Sequence, residues 1–334
     1  MTVVVTYEDR AEAFVGVELL ARSLLRHDPG LRLEVQSPSD ALAARLEGLD
    51  HVTVVPTPDL AGRHWNVKPA VIGRALDRHE RVLWLDTDVI LCGPLSPVLA
   101  RHSPGTLVVG SEYPDPEGIA GRIRTRGFGL HDLRRLPHSV NSGSILADRS
   151  HCEVIKAWTR LLERDDYRAA QRRPAAQRPM AMVGDQDALW AALLAHEGPL
   201  RAVDYFLPGR EMLLHEGASR FSVAHRIAVL RGARPAFVHM LGSYKPWDFA
   251  TAPDPRADLS RYLHFVSFEL SPYAAAARPL ASAIGDPAWL RRRSWMARGL
   301  DAMAFGNVAL GGAPLALLAS GLSAAARLRR RLRR

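Results

Sequence analysis

Apolar positions in the first hundred residues alternate between short continuous runs and helical spacing. Val3 to Val5 form a run that ends at Thr6, and Phe14 to Leu25 carries apolar residues three and four apart until His27-Asp28-Pro29-Gly30 interrupts it. The alternation continues with a strand over Leu31 to Val35, a helix over Asp40 to Leu46, a strand over His51 to Val55, a helix over Pro69 to Leu76 and a strand over Arg81 to Leu85. Such alternation predicts an α/β fold with a mainly parallel central sheet and helices on both faces. Ligands of open sheets of this kind sit beyond the carboxyl ends of the strands, which directs attention to the residues after Val5 and Leu85. A further strand over Thr106 to Gly110 leads into Ser111 to Pro137, which is rich in Gly, Pro and Arg and reads as a long loop with short helical pieces. A second irregular stretch, polar and basic, runs from Asp165 to Pro179. No internal repeat interrupts this order.

Composition changes the picture little. A chain of 334 residues with 47% hydrophobic content can bury a full core, which excludes a disordered or fibrous protein. The formal charge of +9 raises the question of nucleic acid. However, Arg327, Arg329, Arg330, Arg331, Arg333 and Arg334 supply most of that excess, so the basic character belongs to a tail and no nucleic-acid partner is expected. Cys92 and Cys152, the only cysteines, are far apart and outside any Cys-x-x-Cys spacing, which fits a reducing, cytoplasmic setting without a disulfide framework or structural zinc. Met1 to Tyr7 runs directly into a strand pattern, so no secretory signal is expected there.

The strand Arg81 to Leu85 delivers Asp86-Thr87-Asp88, and in extended backbone two carboxylates two residues apart point the same way and can converge on one divalent cation. Much later, Pro235 to Val238 ends in His239, followed by Met240-Leu241-Gly242-Ser243-Tyr244-Lys245-Pro246-Trp247. An imidazole suits manganese beside carboxylates, Gly242 lets backbone approach an anion, and Lys245 offers a point charge for phosphate on a segment directed by Pro246. Taken singly, these features also fit a strand cap, a structural histidine and a packed turn.

Together with Asn141-Ser142-Gly143 and Gly184-Asp185-Gln186-Asp187-Ala188-Leu189, these segments resemble the ordered motif set of glycosyltransferase family 8, the family of glycogenin and the bacterial lipooligosaccharide galactosyltransferases, over about residues 1 to 250. The resemblance implies a GT-A fold and transfer of a hexose from a nucleotide diphosphate sugar, a UDP-sugar, with retention of anomeric configuration. Asp86, Asp88 and His239 would hold the metal, Mn2+ with Mg2+ as the alternative. Lys245, the Gly242 backbone and Lys68 of Asn66-Val67-Lys68-Pro69 would hold the phosphates. Lys68, Lys156 and Lys245 are the only lysines among 44 basic residues, and two of the three stand where the family places an ammonium. Asn141 and Ser142 would bond donor hydroxyls, with Gly143 leaving room for the sugar, while Asp185, Gln186 and Asp187 would face the ring near its anomeric carbon, Asp185 and Gln186 as the catalytic pair. At the amino end the family carries Asp or Asn after the first strand, for the base, and a Tyr a few residues later. This chain has Thr6-Tyr7-Glu8-Asp9-Arg10 there, which leaves Thr6 or Glu8 for base recognition. UDP therefore comes from the resemblance and not from those residues.

Residues 251 to 334 read as a helical extension. No residue from Ala302 to Ala326 is charged, and the six tail arginines follow. The length allows a membrane span, but the Ala, Gly and Ser content with Asn307 and Pro314 favours a helix lying on an anionic membrane surface, assisted by Trp289, Trp295, Arg291, Arg292, Arg293 and Arg298. A solvated basic tail is the alternative. Such docking would make the enzyme peripheral on the cytoplasmic face and point to a lipid-linked acceptor. Two other functions remain open: a sugar-nucleotide-binding protein of the same fold without turnover, and a haloacid dehalogenase-like phosphatase. The second also places Asp-x-Asp after a strand, but near the amino end and without apolar residues such as Val89 and Ile90 behind it.

Overall fold

The computed structural model describes residues 2–198, 202–242, 245–249 and 253–321. Among the described residues there are ten strands: β1 (Thr2–Tyr7), β2 (Leu33–Ser37), β3 (Val52–Pro56), β4 (Arg81–Leu85), β5 (Val89–Leu91), β6 (Thr106–Gly110), β7 (Asn141–Asp148), β8 (Ala202–Phe206), β9 (Met212–His215) and β10 (Phe237–Met240). All seven predicted elements of the amino-terminal alternation fall where strands and helices are found, including the helix Phe14–His27 and the helix Lys68–Arg78. The chain divides into two compact units that interleave along the sequence. One holds Met1–Ala11, Pro29–Thr87 and Pro97–Leu207; the other holds Glu12–Asp28, Asp88–Ser96 and the residues from Pro208 onward.

The first unit is built on a seven-stranded sheet in the order β3-β2-β1-β4-β7-β6-β8. β1 is parallel to β2 and β4, β2 to β3, and β6 to β8. β7 alone runs antiparallel, between β4 and β6. The sheet is thus mainly parallel, as the alternation predicts. Val3, Val5, Tyr7, Val82, Trp84, Val109 and Ile145 project from one face into a core shared with the helices Lys68–Arg78, Cys152–Glu163 and Asp185–Ala195. Alternate residues Val4, Leu83, Leu85, Val108 and Leu146 are fully buried on the other face. Strands buried on both faces read as continuous apolar runs, which is why Val3 to Val5 and Val82 to Leu85 show no alternation.

The first irregular region holds the kind of short helical piece expected of it, and the second holds more structure than composition suggests. Ser111 to Pro137 contains the helix Ile119–Gly127, and the stretch from Asp165 opens with the helix Asp165–Gln171, whose Tyr167 is fully buried. The second helix was not legible because its seven residues hold only Tyr167, Ala169 and Ala170 as apolar positions, too few to show a helical period.

The second unit contains a three-stranded sheet in the order β5-β10-β9, with β10 antiparallel to β5 and parallel to β9. Its core gathers Ile90, Leu213, Val238 and Met240 from the strands with Leu19, Phe265, Phe268, Tyr273 and Trp289. The carboxyl-terminal segment is broken into short pieces: the helix Trp295–Met303, a turn at Ala304 to Gly306, the helix Val308–Gly311, started by Asn307, whose side chain accepts from the Ala309 N–H at 2.9 Å, and helical residues again over 313–321. Among the described residues no helix is long and apolar enough to cross a membrane. The tail arginines Arg327 to Arg334 lie outside the described residues.

Candidate functional site

In the first unit the direction of β7 decides the geometry. Because it runs against β4, its first residues sit beside the carboxyl end of β4, and the Asp86 N–H donates to the Gly143 carbonyl at 2.9 Å. Asn141-Ser142-Gly143 therefore meets the acid that follows β4. Gly110 is the matching position on β6, where the register shifts; a Cβ there would stand 2.8 Å from Ser144 Oγ, so only glycine allows this approach.

Lys68 opens the helix Lys68–Arg78 and is buried among these groups. Its ammonium lies 3.0 Å from Asp86 Oδ1, 3.3 Å from Asp185 Oδ2 and 3.0 Å from Ser142 Oγ. Ser142 in turn donates to Asp185 Oδ2 at 2.6 Å, and the Trp84 indole donates to Asp86 Oδ1 at 2.8 Å. Burial alone would lower the pKa of Lys68, but Asp185 and Asp86 outweigh it and hold the ammonium above its ordinary range. Burial pushes the Asp185 carboxyl up, against the pull of Lys68 and Ser142.

Asp185 and Asp187 occupy the first turn of the helix Asp185–Ala195, where carboxylates complement the helix dipole. Asp187 accepts from the Gly184 N–H at 3.0 Å and from Arg124 Nε at 3.0 Å, and burial raises its pKa. It is thus a cap and an arginine partner. Gln186, between them, is only half-buried and reaches Asn141, whose amide donates to Gln186 Oε1 at 3.3 Å and to Glu112 Oε1 at 2.9 Å. Asn141 Oδ1 accepts from the Gly143 N–H at 2.8 Å, which fixes the amide's orientation. The structure therefore brings Lys68, Asp86, Asn141, Ser142, Gly143, Asp185 and Gln186 together. Glu112 and Arg124 join them without a sequence signal: both lie in the irregular stretch, where nothing in periodicity marks them.

The amino-terminal residues behave differently. Thr6 is fully buried in β1, and its hydroxyl has no hydrogen-bond partner among the described residues. Glu8 is 2% exposed and accepts from Thr87 Oγ1 at 2.8 Å and from Arg10 Nε and Nη2, both at 2.8 Å.

In the second unit the antiparallel pairing of β10 with β5 places His239 opposite Val89, next to Asp88, and the Met240 N–H donates to the Asp88 carbonyl at 3.0 Å. His239 Nε2 stands 3.3 Å from Asp88 Oδ1, and Lys245 Nζ stands 2.5 Å from Asp88 Oδ2 and 3.2 Å from the Met240 carbonyl. Burial disfavours the Asp88 carboxylate, yet Lys245 and His239 together hold its pKa far below the usual range. Gly242 has φ +85, a left-handed conformation in which a side chain would be strained, and a Cβ there would meet Glu216 Oε1 at 2.9 Å.

Asp86 and Asp88 are joined through Thr87 alone. Asp86, Asp88 and His239 form the one group of three ligand-bearing side chains among the described residues in which one atom of each lies within 4.8 Å of the others. Two carboxylates and an imidazole suit a divalent cation, and the buried Asp88 Oδ1 faces His239 Nε2 at 3.3 Å, two ligand-type atoms turned toward one point. The residues fit a metal.

No family model and no curated protein matches the sequence. Among solved structures the chain is similar to the WbbM bifunctional glycosyltransferase, with 14% identity and a TM-score of 0.48 over 74% of this chain and 46% of that one. It thus spans less than half the length of that protein. It is also similar to the galactosyltransferase LgtC in complex with donor and acceptor sugar analogs, with 21% identity and a TM-score of 0.44 over 74% of this chain and 89% of that one. A glycosyltransferase involved in glycosylation of the major capsid of PBCV-1 shows 13% identity and a TM-score of 0.43 over 73% of this chain and 94% of that one.

Proposed function

We propose that the chain is a metal-dependent glycosyltransferase that moves a hexose from a nucleotide diphosphate sugar, a UDP-sugar, to an acceptor with retention of anomeric configuration. The observation that carries this reading is the buried Asp88 carboxylate facing both an imidazole and an ammonium, with Asp86 two positions earlier on the end of β4. Asp86, Asp88 and His239 are the metal ligands in this reading, with Mn2+ the first candidate. A divalent cation bound by them supplies Lewis-acid stabilisation of the leaving diphosphate. Lys245, anchored on Asp88, and the backbone at Gly242 hold the diphosphate from the protein side, and Lys68 adds a second ammonium.

The pairing of Ser142 with Asp185 and of Asn141 with Gln186 supports assigning these four residues to the donor sugar. Hydroxyl contacts from Asn141 and Ser142 orient the ring, Gly143 leaves space for it, and Asp185 and Gln186 present oxygen atoms to the charge that develops at the anomeric carbon. Asp187 holds the helix start and Arg124, and so contributes by position. In this reading residues 1 to 250 carry the transfer chemistry and 251 to 334 form the extension. A panel of nucleotide sugars, each with manganese and with chelator, tests the reading by thermal stabilisation and donor hydrolysis. At least one UDP-sugar should raise the melting temperature only when metal is present. If no nucleotide sugar does so, or if chelator changes nothing, the assignment is wrong.

A further inference from the structure

The carboxyl-terminal segment presents a face that the fold does not use. In the helix Trp295–Met303, Ala297 with Met296 and Leu300 packs against Tyr262, Val266 and Leu270, which accounts for one side. The opposite side, at helical spacing, carries Trp295, Arg298, Gly299, Ala302 and Met303, all exposed; Trp295 is 69% and Met303 71% exposed. Beyond the helix Phe305 is 95% exposed, and Leu310, Leu317 and Leu318 are exposed as well. A helix that is apolar on its solvent side has a partner there or an unused liability.

Phe305 makes the case specific. Its φ is 50 and that of Gly306 is 73, so the ring is carried at the tip of a turn in a left-handed conformation that costs an aromatic residue energy. The turn is held by Phe305 N–H to the Ala302 carbonyl and Gly306 N–H to the Asp301 carbonyl, both at 3.1 Å. A strained, fixed backbone thus projects a large apolar ring into water, where no packing repays the strain.

The charges around this face are mostly positive. Arg291 and Arg298 are exposed and line a shallow depression with Arg278, Arg292 and Asp301, the acid being paired with Arg292 at 2.7 Å. No Asp or Glu occurs after Asp301, and the chain then carries Arg327, Arg329, Arg330, Arg331, Arg333 and Arg334. Nucleic acid would match the arginines and leave Trp295, Met303 and Phe305 unexplained. Apolar side chains beside an excess of cations, with Asp301 already paired to Arg292, match the boundary of an anionic bilayer, where rings and thioethers enter the acyl border and guanidinium groups pair with lipid phosphates.

We propose that Trp295, Met303, Phe305 and Leu310, with Arg291 and Arg298, form a docking face for an anionic lipid surface. The face works as apolar insertion reinforced by charge, so the tail arginines alone do not replace it. The proposal does not depend on the reaction assigned above. It is tested by flotation of the full chain with mixed phosphatidylglycerol–phosphatidylcholine vesicles and with phosphatidylcholine alone, at low and high salt. The chain should float with the anionic vesicles at low salt and lose most of that binding with phosphatidylcholine or high salt. A Met303→Ser, Phe305→Gly double variant keeps every arginine, and glycine suits the left-handed backbone at 305, so the melting temperature should hold or rise while the vesicle-bound fraction falls about tenfold. A parent that fails to float with anionic vesicles overturns the proposal. So does a double variant that floats like the parent, which would leave binding to the tail, or a parent dimer that the double variant converts to monomer, which would mean that a second copy covers the face.

Discussion

Lys68 and Asp88 are the two side chains whose environments are hardest to explain without a function. Each is buried and charged, and each meets more than one group: Lys68 meets two carboxylates and a hydroxyl, Asp88 an imidazole and an ammonium. Removing one partner from a buried ionic cluster costs about 3–5 kcal/mol, because the remaining charges lose their compensation without regaining water. Lys68→Met leaves Asp86 and Asp185 facing each other, and urea unfolding at neutral pH should show a loss of about 3 kcal/mol. An unchanged unfolding midpoint would reduce Lys68 to a ligand contact with no structural part. Asp88→Asn keeps the shape and removes the charge that anchors Lys245 and His239. Under the function proposed above, metal-dependent thermal stabilisation by a donor should then vanish and kcat/KM should fall about a hundredfold or more, because the variant would lose a ligand of the metal that offsets leaving-group charge. A variant still stabilised by donor with manganese would remove Asp88 from the ligand set.

At the scale of elements, chemistry collects where strands end and helices begin. Asp86 follows β4, Asn141 starts β7, Lys68 and Asp185 open helices, and His239 ends near the tip of β10. The parallel strands and the two acids after β4 were legible because buried parallel strands leave continuous apolar runs bounded by polar residues. The reversal of β7 was not legible: Ile145 to Ala147 is an apolar run like those of the parallel strands, and its direction depends on β4 and β6, which lie far from it in sequence. Arg124 escaped notice for a related reason, since the helix Ile119–Gly127 that carries it has a weak apolar face and is fixed by what packs on it. Gly127 shows that packing directly. A Cβ there would lie 2.1 Å from Ala181 Cβ, so the helix end rests against the turn Met180–Met182 with no room for a methyl group. Gly127→Ala should cost about 1–3 kcal/mol by overpacking. Arg124 and Asp187 would be displaced with it, which thermal unfolding and loss of donor binding together would register. Full stability would show that the turn can yield.

At the scale of the whole molecule, the interleaved units are the feature a linear reading cannot supply. The stretch Asp88–Ser96 belongs with residues after 207 because β5 pairs with β10, a contact across roughly 150 positions that no local pattern records. Stability of the second unit should then carry a pH signature of its own. Its interior holds buried cationic groups: Arg226 is 5% exposed, and its guanidinium donates to the carbonyls of Phe221, Val308 and Ala309. His215, at the end of β9, is buried near Arg226 and His264, and its Nε2 has no hydrogen-bond partner among the described residues. Burial first, then the repulsion of His264 and Arg226, pushes its pKa down to about 3 from an ordinary value of 6.5. A depressed histidine favours the neutral form in the fold, so its contribution to stability is complete above pH 6.5 and is lost as pH falls from there toward 3. At pH 4 the parent should have lost on the order of 3 kcal/mol through this group, at 1.36 kcal/mol for each unit of separation. His215→Gln removes the titration, so its unfolding free energy should fall less between pH 7 and pH 4 than the parent's, whatever its stability at neutral pH. Parallel acid limbs for the two proteins in urea unfolding would show that His215 is protonated in the fold without penalty, and that some other group sets the acid limit.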